Sequence, residues 1–196
     1  MNLKKIKHRP FLIFLPILMA GCSSKKDLAI WSNATFDNNI LKVPVYAQLD
    51  KQKELFSMLE KQDSLSKRTS DVEYSSGQAM SAEYLKFNNC RAHYYHSDTL
   101  SINIGIGTGF GGKGFIILYK DGKFYTKPYF FTDVITGEPD PTYKIVYQKL
   151  ILDKTAYKTG DSLYGYINFQ SIETDNNRVK TEHWGKGYFR TRITEL

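Results

Sequence analysis

Leu100-Ser101-Ile102-Asn103-Ile104-Gly105-Ile106-Gly107 decides the fold, because apolar residues alternate strictly with small or polar ones through it. A period of two puts Leu100, Ile102, Ile104 and Ile106 on one face, as in a half-buried strand. The chain keeps this character outward from there. Phe115-Ile116-Ile117-Leu118-Tyr119 is a β-prone run, Asp121-Gly122 is a two-residue hairpin signal, and Lys123 to Phe131 returns. After the loop Thr136-Gly137-Glu138-Pro139-Asp140-Pro141 comes a strand from Tyr143 to Leu152. Its apolar phase is odd through Tyr147 and even at Leu150 and Leu152, which predicts a bulge near Lys149. Ser162 to Gln170 and Gly187 to Ile193 complete about six to eight short strands, the pattern of a mainly β fold: an antiparallel β-sandwich or barrel.

The N-terminal half adds one short helix. Lys51 to Lys67 places Leu55, Phe56, Met58, Leu59 and Leu65 largely on one stripe, with Asp50 available as its cap. Ile40 to Leu49 alternates at Leu41, Val43, Val45 and Ala47, which predicts a strand, and Pro44 moves it to an edge. Gln78 to Phe87 fits a short helix or a strand. Ser23 to Asn39 is polar and unpatterned, as in a flexible tether. Residues 40–196 therefore read as a single β-rich domain behind this tether.

The signal is carried by Lys4, Lys5, Lys7 and Arg9, then a short apolar run from Phe11, then Leu18-Met19-Ala20-Gly21-Cys22. The run is shorter than the roughly 20 residues that span a bilayer. Its order resembles the signal peptide of bacterial lipoproteins, with Met19 where that pattern usually has Leu. The resemblance implies that residues 1–21 are a signal peptide cleaved before Cys22, that 22–39 are a lipidated cysteine with its tether, with diacylglycerol on the Cys22 sulfur, and that the membrane is held through acyl chains such as palmitate. Ser23 in place of Asp implies, by similarity to enterobacterial lipoproteins, the outer membrane of a Gram-negative cell envelope, facing the periplasm or the outer surface.

Removing the signal takes four of the 27 basic residues and no acidic one, leaving 23 against 20 and a net charge of +3. A nearly balanced exported chain lacks the electrostatic footprint of a nucleic-acid binder. Gly107-Thr108-Gly109-Phe110-Gly111-Gly112-Lys113 satisfies two phosphate-loop patterns on paper. Gly114 stands where the magnesium-binding hydroxyl belongs, and a strand follows instead of a helix, so the stretch reads as a strand connection and no nucleotide or other cofactor is expected.

Cys90-x-x-His93-x-x-His96 is the one ligand-like cluster. On a strand, Cys90 and His96 face one side and His93 the other, so no metal site is expected, and Cys90 reads as a buried thiol. Asp133, Glu138 and Asp140 read as a solvated acidic turn. Lys154-x-x-Tyr157-x-x-Gly160-Asp161-x-x-x-Gly165 resembles the strand–turn–strand of immunoglobulin-like and macroglobulin-like sandwiches, which implies a turn at Gly160 and no activity.

Strand parity supplies a binding face. If Leu163, Gly165, Ile167 and Phe169 face the core, Tyr164 and Tyr166 face out. If Phe189, Thr191 and Ile193 face the core, Tyr188, Arg190 and Arg192 face out, with Trp184 near one end. Tyr and Arg are favoured recognition residues. The chain therefore reads as a lipid-anchored envelope protein, a non-catalytic binding or structural module for a protein or glycan partner. The alternative is an extracytoplasmic hydrolase of cell-wall or glycan material, for which no catalytic residue stands out.

Overall fold

The computed structural model describes residues 30–51, 69–76, 89–108, 111–134, 137 and 139–195. The strands are β1 (Ser32–Asn33), β2 (Thr35–Phe36), β3 (Ser70–Ser75), β4 (Asn89–Tyr95), β5 (Thr99–Thr108), β6 (Gly111–Lys120), β7 (Lys123–Thr132), β8 (Thr142–Leu152), β9 (Ser162–Thr174) and β10 (Lys180–Thr194). A 3₁₀ turn at Asn38–Lys42 and one short helix, α1 (Tyr46–Leu49), lie between β2 and β3. The strands follow the order β1-β7-β6-β5-β4-β10-β9-β8-β2, with β3 alongside β10. Only Ala34 separates β1 from β2, so the two ends of this sheet meet and the fold is a nearly closed β-barrel. Pairing is antiparallel except for short parallel contacts of β4 with β10 and of β2 with β8.

The seam between β7 and β8 is closed by a side chain as well as by β1 and β2. The Gln148 carbonyl accepts the Thr126 N–H at 3.0 Å, and its amide donates to the Ile30 carbonyl at 2.9 Å and to the Ser32 hydroxyl at 3.0 Å. A side-chain amide carries the same donor and acceptor as a peptide, so it replaces a missing rung of the ladder.

Inside, Ile102, Ile104, Phe115, Ile117, Phe169 and Phe189 are fully buried, each stabilising the barrel by roughly 1.5–3 kcal/mol. Asp121 and Gly122 take φ of 48° and 76°, the left-handed pair of a type I′ turn, as their hairpin signal predicts. The glycine-rich stretch joins β5 to β6, and its residues on either side of 109 and 110, which lie outside the described residues, extend the ladder, with Thr108 paired to Gly111. Gly105, Gly114 and Tyr129 form one outward row across three strands. A Cβ on Gly105 would sit 2.6 Å from the Tyr129 hydroxyl, so the ring lies across the glycines and covers them.

Three expectations are corrected. Residues 32–36, assigned to the tether, are part of the barrel: Ala34 is buried and its N–H donates to the Gly122 carbonyl at 2.8 Å. Ile40 to Leu49 is not a strand. Asp37 caps the 3₁₀ turn by accepting the Asn39 N–H at 2.9 Å, and Ile40, Tyr46 and Leu49 gather into a second apolar cluster on the outside of the barrel. The β8 bulge falls at Val146, since Ile145 pairs with Ser171 and Tyr147 with Gln170. Asp50 follows α1 as its C-terminal cap, and the helix it was expected to start lies outside the described residues. The segments 52–67 and 78–87 and Cys22 lie outside the described residues.

Candidate binding face

Strand parity on β9 and β10 is as the sequence predicts. Leu163, Ile167, Phe169, Phe189, Thr191 and Ile193 are buried in the barrel. Outside, Tyr166 is paired with Tyr188, Tyr164 with Arg190, and Ser162 with Arg192, so the two stripes merge. Much of this patch is covered by the chain itself. Tyr46, 2% exposed, docks between Tyr164 and Tyr188, edge-on to both at ring separations of 5.1 and 5.9 Å. Its hydroxyl donates to the Gly165 carbonyl at 2.8 Å, and burial pushes its pKa far above the ordinary tyrosine value.

Two of the expected recognition residues hold this strap in place. Arg190 Nε donates to the Leu49 carbonyl at 2.9 Å, and the Tyr164 hydroxyl donates to Asp50 Oδ1 at 2.9 Å. Arg192 lies further along the strand, its Nε donating to the Gly160 carbonyl at 2.9 Å. Gly160 itself takes the left-handed φ of 89° that its turn requires, and the Asp161 carboxylate accepts Lys154 Nζ and the Lys158 N–H, each at 3.0 Å.

Beyond the strap no segment covers the outer face among the described residues. One row crosses β8, β9, β10 and β3 as Lys149, Asn168, Lys186 and Glu73, and the next as Tyr147, Gln170, Trp184 and Ser75. Tyr147 is 46% exposed and Trp184 37%. With strands ~4.8 Å apart, they stand ~10 Å apart on either side of Gln170. The Tyr147 hydroxyl donates to Asn168 Oδ1 at 3.1 Å, and Gln170 Nε2 donates to Glu182 Oε1 at 2.6 Å, which orients both amides. Tyr147, Lys149 and Lys186 are absent from the sequence-based face. Placing the bulge at Lys149 counted Tyr147 with the core phase, and the Val146 bulge turns it outward.

The other candidate clusters separate in space. Cys90 is fully buried on the core face of β4 and His93 is half-buried on the opposite face, its pKa lowered by burial. His96 is not on the strand at all: it sits in the following turn at φ 60°, its ring 4.3 Å from that of Tyr95. No group of three or more His, Cys, Asp and Glu able to hold a metal occurs among the described residues. Asp133 and Asp140 are exposed, and Glu138 lies outside the described residues.

His183 points into the barrel, 6% exposed. Its Nδ1 meets the Tyr74 hydroxyl at 3.1 Å and its Nε2 meets Glu173 Oε2 at 2.8 Å. Burial lowers its pKa and Glu173 partly offsets this, while burial raises those of Tyr74 and Tyr143 beside it. Ser171, the cross-strand neighbour of His183, is fully buried and its hydroxyl has no hydrogen-bond partner. Serine, histidine and glutamate are thus adjacent, but both ring nitrogens are occupied and neither serves Ser171 as a base.

Comparison of the chain with protein-family models, curated proteins and solved structures returns no match, so what this face does is argued from its own geometry.

Proposed function

We propose that the protein is a lipid-anchored component of a bacterial cell envelope whose barrel is a non-catalytic glycan-binding module, and that glycan lies across the open rows of β8, β9 and β10. The observation that carries this is the division of the outer face. The strap shields the Tyr46–Tyr164–Tyr188 rows and leaves Tyr147, Trp184, Asn168, Gln170, Lys149 and Lys186 open on rigid strands. Flat rings stack on the apolar faces of sugars, oriented amides supply donors and acceptors to hydroxyls, and two ammonium groups favour acidic substituents. Sites carried by sheet strands hold such groups with little entropy to lose.

Cosedimentation with isolated peptidoglycan, and with acidic and neutral oligosaccharides on beads, tests the reading. Trp184→Ala and Tyr147→Ala should each weaken binding about tenfold or more while leaving the melting temperature nearly unchanged, as for exposed positions. Equal binding by both variants and the parent chain, at unchanged stability, would remove the face from consideration. Capture of an envelope protein in place of glycan, lost in the same variants, would move the partner class.

A further inference from the structure

The two ends of the barrel differ in where large apolar side chains are exposed. One end carries the turn 96–98, the Asp121-Gly122 hairpin and the 153–161 connection. Its surface is ionic, with Lys120 paired to Asp98 and Lys154 to Asp161 at 3.0 Å. The other end carries the β5–β6 tip, the β7–β8 loop and the β9–β10 hairpin, and the last two are tied by Asn176 Nδ2 donating to the Pro139 carbonyl at 3.0 Å. Here large apolar residues stand exposed, Phe130 at 69%, Phe131 at 50%, Val134 at 67% and Val179 at 58%, beside the exposed charges of Asp133, Asp140, Arg178 and Lys180. Large rings exposed on a rim, with no strap over them among the described residues, mark a contact surface.

The direction of the chain identifies what covers this rim. β1 runs antiparallel to β7, with Ser32 opposite Phe124 and Asn33 opposite Lys123. Continued backward, that register sets Ile30 level with Thr126, and Gln148 bridges the same two residues. At Ile30 the chain, followed backward, is therefore directed along β7 toward Phe130 and Phe131. From Thr126 to Phe131 is ~17 Å along a strand. From Cys22 to Ile30 is eight residues, which reach at most ~26–29 Å fully extended. Even fully extended, those eight residues reach no more than ~10 Å past the apolar rim, so an anchor at Cys22 keeps the barrel close to the membrane surface.

We infer that the Phe130, Phe131, Val134 and Val179 rim rests in the surface of the bilayer to which Cys22 is anchored. This inference depends on the lipid-anchor reading only for the source of the membrane. The rim supplies the second, apolar attachment that makes anchoring firm and fixes orientation, and it directs the open glycan-binding rows sideways along the envelope.

The test uses the full chain in phosphatidylethanolamine–phosphatidylglycerol vesicles containing brominated lipid, with an environment-sensitive fluorophore on Val134→Cys or, at the opposite end, on Ser97→Cys. The label at position 134 should be quenched several-fold more than that at 97. In the Cys22→Ser chain added to the same vesicles, Phe130→Ser with Phe131→Ser should lower sedimentation with vesicles about tenfold. Equal quenching at 134 and 97 in chain whose Cys22 is acylated by intact mass overturns the inference and leaves the anchor standing. An unmodified Cys22 with selective quenching at 134 does the reverse. Self-association in solution that the Phe130→Ser, Phe131→Ser pair abolishes, with no quenching at 134, assigns the rim to a second copy and also overturns the inference.

Discussion

Replacing Tyr46 by Ala tests whether the strap is part of the folded domain or an ornament on it. Tyr46 is 2% exposed, and its ring meets Tyr164 and Tyr188 edge-on at interplanar angles of 83° and 80°. Truncating a buried aromatic to Ala costs ~3–5 kcal/mol when the site cannot collapse. Here the neighbours are a rigid sheet below and Ile40 and Leu49 at the sides, so little collapse is available. Tyr46→Phe isolates the hydroxyl, whose bond to the Gly165 carbonyl at 2.8 Å is worth ~0.5–1.5 kcal/mol net. The two edge-to-face contacts survive in Phe and vanish in Ala, and account for ~1–3 kcal/mol of the difference.

Urea unfolding, followed by far-UV circular dichroism and by aromatic fluorescence, checks the series. The expected order is parent, then Phe lower by ~1 kcal/mol, then Ala lower by ~3–4 kcal/mol, with coincident transitions from the two probes. Ala and Phe variants both within ~0.5 kcal/mol of the parent would refute the reasoning, because the strap would then contribute nothing to global stability. An Ala variant with an early fluorescence transition ahead of the dichroism one would show the strap detaching as a separate unit.

Two further substitutions probe the interior. Ile104→Asp places a carboxylate where the side chain is 1% exposed among Ile and Phe, and should cost ~4 kcal/mol or more, measured by the same denaturation. His183 makes stability fall on acidification: its folded pKa lies below the ordinary 6.5, so below about pH 6.5 the unfolded chain takes the proton first and stability declines until the folded value is passed. Melting temperature against pH should show this decline in the parent and lose that part of it in His183→Gln; an identical slope in both would assign the dependence elsewhere.

Much of the barrel was legible in the sequence, and the reasons are physical. Period-two alternation from Leu100, the left-handed pair Asp121-Gly122 and the parity of Leu163 to Phe169 each depend on local rules that tertiary structure rarely overrides. The failures share a different cause. β1 and β2 pair two residues each and have no periodicity to detect, yet they close the seam. Leu41, Val43 and Val45 alternate as a strand would, but Pro44 and the Asp37 cap commit the segment to turns, and the buried residues prove to be Ile40, Tyr46 and Leu49. Tyr147 changed faces because one inserted residue, Val146, inverts every side chain on its N-terminal side relative to those after it.

The binding face shows why parity alone does not identify a surface. Outward on a barrel strand means only away from its core, and a second layer decides whether that is solvent. The row Ile151, Tyr166, Tyr188 is apolar enough to call for a cover, and Tyr46 and Leu49, three apart and so on one helical face, supply it. The next row toward the apolar rim is Lys149, Asn168, Lys186 and Glu73, which gains nothing from such a cover. The strap ends where the chemistry of the sheet turns polar. Tyr147 and Trp184, beyond that boundary, therefore remain exposed with no segment above them among the described residues. It is on this side of the boundary that a partner can find both rings and hydrogen-bonding groups together, and there that the Trp184→Ala and Tyr147→Ala variants separate binding from stability.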